Sequence, residues 1–506
     1  MILIVDFGSQ YTKLIARNIR KLRVYCLIIT PDKILTAISE YKPEALIFSG
    51  GPSSVYNPDS PLLPKAVLEM GIPILGICYG QQLVSHLLGG RVERSEKREY
   101  GFAVLRGVKK DPILEGLSSG ETVWMSHGDK VTSLPKGFEA IAETENCPYA
   151  VIRSRTRKIY GLQFHPEVVH TKNGVRILRN FLTASGISRD WKIGNFIRQK
   201  QDEICNTVKD GNVILAFSGG VDSSTMALFL HKTIPGQIFP IMVDTGLLRE
   251  EDEKIPEIFR KEYGVKIKVA DARNLFLSRL AGVTEPEEKR KIIGHTFIEV
   301  FEKEAKSVKN AKFLAQGTLY PDVIESAGGN KLAAKIKSHH NVGGLPERLS
   351  FKLIEPFREL FKDEVREVAK KIGLLPELIR RHPFPGPGLA VRVIGSVTEE
   401  RLRILRAADG IFIQELKKSG NYDKVWQAFC VLLPIQSVGV MGDERTYESL
   451  LAIRSVNSQD GMTAEWSKLP HKFLGAVSTR IINEVKGINR VVYDISNKPP
   501  ATIEWE

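Results

Sequence analysis

The sequence predicts an α/β protein of two successive parallel-sheet domains followed by a smaller α+β domain. Three observations carry this prediction. Short apolar runs of strand length alternate with helical patterns twice along the chain, a proline-rich segment interrupts the second series near residue 383, and the remainder mixes strands and helices without that alternation. A chain of 506 residues also exceeds what one hydrophobic core serves, and its length fits three domains or so.

In residues 1–190 the runs 2–5, 45–48, 72–77 and 159–164 read as buried strands, bounded by Gly and Pro and separated by helix patterns. The pattern stops at Ser185-Gly-Ile-Ser-Arg-Asp190, and a new helix is expected from Trp191. Residues 191–383 repeat the alternation, with strands expected at 213–217, 238–243, 265–269 and 313–315. No internal repeat relates the two series. His382-Pro-Phe-Pro-Gly-Pro-Gly388 can be neither helix nor interior strand, because three prolines remove donors and fix φ, so it marks a boundary or hinge. Residues 384–506 hold expected strands at 390–394, 428–433 and 490–494, and close on Pro499-Pro-Ala-Thr-Ile-Glu-Trp-Glu506, an apolar tail expected to dock.

Composition narrows the class. Hydrophobic residues at 42% and charged residues at 26% are ordinary for a soluble globular protein. No stretch approaches the ~20 apolar residues of a membrane span. The first residues read as a strand, with no basic region or cleavage site of a leader. Cys26, Cys78, Cys147, Cys205 and Cys430 form neither a CxxC pair nor a zinc spacing, which predicts a cytoplasmic setting without structural metal. The net charge of +13 fits either nucleic acid or phosphorylated small molecules. Without a zinc finger, an RNP aromatic pattern or a basic tail, the small-molecule reading leads, with no nucleic-acid or membrane partner expected.

Pro73-Ile-Leu-Gly-Ile-Cys78-Tyr-Gly80-Gln-Gln82 is a strand, a small-residue turn and a helix start, the layout of a nucleophile elbow with a thiol in place of the hydroxyl. Gly76 and Gly80 permit the sharp turn, and the free N–H groups of the helix start favour thiolate. Alone, such a motif also fits a small cysteine packed under a strand end. Tyr160-Gly-Leu-Gln-Phe-His165-Pro-Glu167 changes the balance. It sets a histidine and a glutamate two apart at a strand end, on one face of an extended chain, where Glu167 can orient His165 as the base for the thiol. Ser49-Gly50-Gly51-Pro52 follows another strand, and its glycines permit N–H groups to turn toward an oxyanion.

Together SGGP, GICYGQQ and QFHPE resemble the class I glutamine amidotransferases across the whole first domain. That resemblance implies a γ-glutamyl thioester on Cys78, with His165 as base and Glu167 as its orienter. It further implies an oxyanion hole from the N–H groups of Gly51 and Tyr79, and contacts from Gln82 to glutamine.

In the second domain, Val213-Ile-Leu-Ala-Phe-Ser218-Gly219-Gly220-Val221-Asp222-Ser223-Ser224-Thr225 is a strand, a Gly-rich loop and a helix start, a nest of donors for a phosphate chain. The Gly-Lys-Ser/Thr ending of the P-loop is missing. SGGVDSS instead resembles the pyrophosphate loop of the N-type ATP pyrophosphatases, which have an adenine-nucleotide α-hydrolase-like fold and cleave ATP between the α and β phosphates. Asp222 suits Mg²⁺ on those phosphates. Val243 closes the next strand, where an adenine edge could meet backbone groups. Gly317 leaves another strand, with Asp322 and Glu325 beyond it, and Lys337 and Lys362 supply cations. Taken singly, each of these charges also fits a solvated helix face.

The segments KRKIIGHTFIEVF, GTLYPDVIES, KSHHNVGGLP, HPFPGPGLAVRV and VVYDISNKPPATIEWE resemble the glutamine-hydrolysing GMP synthetase family from end to end. The resemblance implies XMP, ATP and glutamine as substrates, Mg²⁺ with the ATP, and a homodimer through the C-terminal domain. It places Arg290, Gln436, Lys498 and Glu504 at the XMP, and Asp322, Glu325, Lys337 and Lys362 near the adenylation chemistry. The run 428–433 fits a dimer interface and an internal core equally well. Two other readings are weighed: a tRNA-modifying ATP pyrophosphatase, which shares SGGVDSS, and a catalytically silent nucleotide-binding regulator.

Overall fold

The structure is a computed structural model that describes residues 1–327, 351–441, 444–458, 461 and 463–506. Lys337 and the KSHHNVGGLP segment lie outside the described residues, as does the side chain of Glu325. The chain forms two compact units, Met1–Asn195 and Phe196–Glu506. Among the described residues, no helix is long and apolar enough to cross a membrane.

The first unit contains strands β1 (Ile2–Val5), β2 (Cys26–Ile29), β3 (Ala45–Phe48), β4 (Ile74–Ile77), β5 (Arg91–Val104), β6 (Thr122–Ser133), β7 (Phe138–Ala142), β8 (Val151–Ser154) and β9 (Ile159–Leu162). Seven of them form one sheet in the order β2-β1-β3-β4-β9-β8-β7. The pairings from β2 to β9 are parallel, and β8 and β7 continue antiparallel. Every residue of β1, β3 and β4 is buried, which is why these strands read as unbroken apolar runs rather than alternating ones. β5 and β6 stand apart as a long antiparallel ribbon that the apolar runs did not announce.

The second unit opens with β10 (Asn212–Ala216), β11 (Ile238–Asp244), β12 (Lys268–Asp271), β13 (Ala311–Ala315) and β14 (Lys352–Ile354). They form an all-parallel sheet in the order β12-β11-β10-β13-β14, so the order in which strands are added reverses between β10 and β13. A second sheet follows from β15 (Gln427–Met441), β16 (Glu444–Asn457), β17 (Glu465–Trp466) and β18 (Ile488–Asp494).

No unit boundary falls at the proline-rich segment. Leu389, Ala390 and Val393 just beyond it are fully buried in one apolar cluster with Ile214 and Ile241 of the first sheet and Leu432 and Ile453 of the second. The two sheets of this unit therefore share a core. The expected strand at 390–394 is instead a 3-10 turn, Gly388–Arg392, followed by a single bridge from Val393 to Leu432. An apolar run that short is compatible with any fully buried conformation. Residues 428–432 are buried within the chain, which settles that part of the strand as internal core.

Candidate active site

Three neighbouring strands of the first sheet, β3, β4 and β9, deliver the three motifs at their C-terminal ends. Cys78 leaves β4 with φ 53° and ψ −105°, a conformation that costs a non-glycine residue about 1–3 kcal/mol. It is held there by its N–H, which donates to the Leu162 carbonyl at 2.6 Å, and by its own carbonyl, which accepts from the Gln82 N–H at 3.2 Å. The strain sits on Cys78 itself, and the flanking glycines serve a different purpose. A Cβ on Gly76 would lie 2.6 Å from the Gly80 carbonyl carbon, and one on Gly80 would lie 2.4 Å from the Phe48 carbonyl oxygen. Both glycines are needed so that the helix Tyr79–Leu87 can lie against the strand ends.

His165 and Glu167 are both buried, and the His165 Nδ1 donates to Glu167 Oε1 at 2.7 Å. Their adjacency comes from a turn beyond the end of β9 rather than from strand alternation, because the backbone has already left the sheet at Pro166. The Asn18 amide donates to the Glu167 carbonyl at 3.1 Å, and the Thr171 hydroxyl to the His165 carbonyl at 2.7 Å. With Nδ1 committed to the carboxylate, Nε2 is left for the thiol. Burial pushes the imidazole pKa down, but the Glu167 charge and hydrogen bonds to Cys78 and Glu167 outweigh it, so it stands well above its ordinary value. The geometry sets a thiol, an imidazole and a carboxylate in sequence, an arrangement able to activate a nucleophile.

Gly51 lies so close to the turn after β1 that a Cβ would meet the Phe7 carbonyl oxygen at 2.6 Å, and Tyr79 opens its helix, where an N–H has no intrahelical acceptor. Gln82 is buried. Its amide nitrogen donates to the Asp129 carbonyl at 2.8 Å and to Gln163 Oε1 at 3.3 Å. Gln163 in turn donates to Cys78 Sγ at 3.6 Å, and the thiol faces the Ser126 carbonyl at 3.7 Å. Gln163 lies inside the QFHPE motif but was given no role from the sequence, since its partners are 81 and 85 positions away.

In the second unit, the Ser218–Ser223 loop follows β10, at the point where the strand order reverses, the usual ligand crevice of a doubly wound sheet. Gly219 has φ 74°, and Gly220 caps the helix Val221–Thr233. The Ser223 hydroxyl closes the loop, bonding to the Gly220 carbonyl and the Ser218 hydroxyl, each at 3.1 Å. Asp222 Oδ1 and Ser224 Oγ are buried without a hydrogen-bond partner. The Lys362 ammonium stands 3.6 Å from Asp222 Oδ2, although 140 residues separate the two in the chain. Gly317, after β13, faces Asp222, whose Cβ lies 4.0 Å from where a Gly317 Cβ would be. Val243 is buried in β11. One oxygen of Asp322 accepts from the Leu319 N–H at 3.2 Å, at the start of its helix.

The residues expected at the XMP are placed as follows. Arg290 donates to the Glu506 main-chain carbonyl. Glu504 accepts two bonds from the fully buried Arg392, at 2.8 and 3.0 Å, and one from Gln427 at 2.8 Å. The Lys498 ammonium donates to the Gly461 carbonyl at 2.8 Å, and Gln436 stands exposed on β15 opposite Ser449. Arg392 was not singled out from the sequence. A lone arginine inside the apolar run Leu389-Ala-Val-Arg-Val-Ile394 was the available signal, since a buried charge needs a partner.

Residues 3–185 match the family model for glutamine amidotransferase class-I, and residues 414–505 match that for the GMP synthase C terminal domain. The class is therefore a glutamine amidotransferase joined to a synthetase. Relatives named GMP synthase (glutamine-hydrolyzing) align along the full chain. Those from Aquifex aeolicus and Thermosipho africanus are each 58% identical, with 100% of this chain and 99% of the relative covered. One from Brachyspira hyodysenteriae is 54% identical at the same coverage. The chain belongs to the glutamine-hydrolysing GMP synthases, and it is a carbon–nitrogen ligase with glutamine as its nitrogen donor.

Proposed function

We propose that the chain converts ATP, XMP, glutamine and water into GMP, AMP, pyrophosphate and glutamate, with the work divided between its two units. The observation that carries this division is the pair of separate sites: a complete thiol–imidazole–carboxylate set in one unit, and a phosphate loop at a sheet reversal in the other.

In the first unit His165 takes the Cys78 proton, the thiolate attacks the glutamine side-chain carbonyl, and the leaving ammonia receives the proton from the imidazolium. The N–H groups of Gly51 and Tyr79 stabilise the oxyanion, and water then hydrolyses the thioester to glutamate. Gln82 acts in this reading by holding Gln163 against the thiol.

In the second unit the loop 218–224 binds the phosphates of ATP, with Val243 and Gly317 lining the nucleotide. The fold of this unit is read as adenine-nucleotide α-hydrolase-like, and its five-stranded parallel sheet with the loop after β10 supports that reading. The buried, unpartnered Asp222 Oδ1 fits Mg²⁺, which would supply charge neutralisation on the phosphates. The xanthine O2 attacks the α-phosphorus, pyrophosphate leaves, and ammonia displaces AMP at C2. Lys362, Asp322, Glu325 and Lys337 serve the adenylation, and Arg290, Gln436, Lys498 and Glu504 the XMP.

Functionally we assign 1–190 to glutamine hydrolysis, 191–383 to ATP and adenylation, and 384–506 to XMP binding and dimerisation. The exposed Val438 and Val440 of β15 and Tyr447 of β16 support a homodimer through the second sheet. Five cysteines without a disulfide support a cytoplasmic setting. The test is ATP–pyrophosphate exchange with alternative acceptors. XMP is expected to drive it, whereas exchange driven by tRNA alone would favour the tRNA-modifying reading and contradict this one.

A further inference from the structure

The β5–β6 ribbon carries a buried ionisable pair that the mechanism above leaves unused. Glu99 and His127 stand opposite each other across the ribbon, both buried, with His127 Nε2 3.1 Å from Glu99 Oε2. The other ring nitrogen, Nδ1, lies 3.0 Å from the Asp129 carbonyl oxygen. A carbonyl only accepts, so Nδ1 carries hydrogen. The Glu99 carboxyl receives the Thr144 hydroxyl at 3.1 Å and a side-chain bond from Asn146, donors that favour its ionised form. The His127 ring is thus held between Glu99 and Asp129. Cys147, packed against the same pair, is neutral, because burial pushes its thiol up to about 12. Lys130 is turned to the Asn146 carbonyl at 3.0 Å.

The peptide segment that this ring engages is the one that touches Cys78. Ser126 presents its carbonyl to the Cys78 thiol, and the Asp129 carbonyl that His127 engages is also the acceptor for Gln82. Gln82 orients Gln163, and Gln163 donates to the sulfur. The path from Glu99 to Cys78 is thus a continuous series of hydrogen bonds through His127, Asp129, Gln82 and Gln163. We propose that Glu99 and His127 are a positioning pair that holds the 126–129 strand segment against Cys78 and Gln82, and thereby sets the thiol for attack on glutamine. This inference rests on Cys78 as the glutaminase nucleophile.

The test uses the full chain with His127→Gln, with Glu99→Gln, and with both together. The double exchange leaves no unpaired buried charge, which guards against a variant that merely fails to fold. Each single change is expected to lower kcat for glutamine-dependent synthesis about 10- to 100-fold, the scale of a small misplacement of a reacting group. The KM for glutamine should stay within about threefold, and the double should be no worse than the poorer single, because the residues act as a unit. Synthesis from added ammonia should be unchanged. The rate of iodoacetamide alkylation at Cys78, read on its peptide, should change in parallel with kcat. Unchanged kcat in the singles, a rise in KM at constant kcat, or equal loss of the ammonia reaction in all three variants would each overturn the proposal. Survival of glutamine hydrolysis in Cys78→Ala would instead sink the glutaminase reading on which it rests.

Discussion

At the scale of single residues, Cys78 and His165 carry opposite kinds of cost. Cys78 stores backbone strain, offset by the hydrogen bonds that fix its peptide, while His165 is buried beside a carboxylate that stabilises its protonated form. The second arrangement has a pH consequence. Folding raises the His165 pKa above its unfolded value of about 6.5. Stability from this group is therefore full below about pH 6.5 and is lost as pH rises through the folded value. Glu167→Gln removes the main charge responsible. The stability advantage of the parent over Glu167→Gln should shrink as the pH is raised, by about 1.4 kcal/mol for each unit of lost shift. Unfolding midpoints of the first unit measured from about pH 6 to pH 9 check this, and an advantage that grows with pH would contradict it. Residue identities at this site were legible because each motif is local: an elbow, a His-Pro-Glu and a Gly-Gly turn, each within a few positions. Gln163 and the Glu99–His127 pair were not legible, because their partners meet only after the sheet and ribbon have formed.

At the scale of elements, close packing dictates the composition of the elbow. The helix Tyr79–Leu87 crosses the ends of β3 and β4 near enough that a methyl group on Gly80 collides with the Phe48 backbone. Gly80→Ala should destabilise the first unit by on the order of 3 kcal/mol, since backbone on both sides leaves little room to relax. Denaturant unfolding measures it, and a loss below about 0.5 kcal/mol would show that the helix can shift. Buried strands of the parallel sheets were legible as apolar runs, with ends displaced by a few residues. β5 was not, because Arg91-Val-Glu-Arg-Ser-Glu-Lys-Arg-Glu-Tyr100 is mostly charged and its pairing with β6 is what makes it a strand. The second sheet shows the same division within one strand. Residues 428–432 of β15 are core, whereas Val438 and Val440 farther along it are 50% and 73% exposed, on one face with Tyr447 of β16. This face is the one proposed to form the homodimer interface. Val440→Glu should shift the protein toward monomer in sedimentation velocity, and an unaltered dimer would place the interface elsewhere.

At the scale of the whole molecule, the proposed division of labour separates ammonia production from ammonia use. Each unit contains a run of parallel strands, and in each the candidate site residues follow the C-terminal ends of adjacent strands. Three domains were expected where the structure has two units, because the last sheet buries its apolar face in the same core as the five-stranded parallel sheet. A proline-rich segment marks irregular backbone, but it marks a unit boundary only when few contacts cross it. The division of labour is tested most directly by Cys78→Ala assayed for GMP formation with glutamine and, separately, with added ammonia. Loss of the glutamine reaction with the ammonia reaction retained is the predicted result. Loss of both, or retention of both, would contradict it.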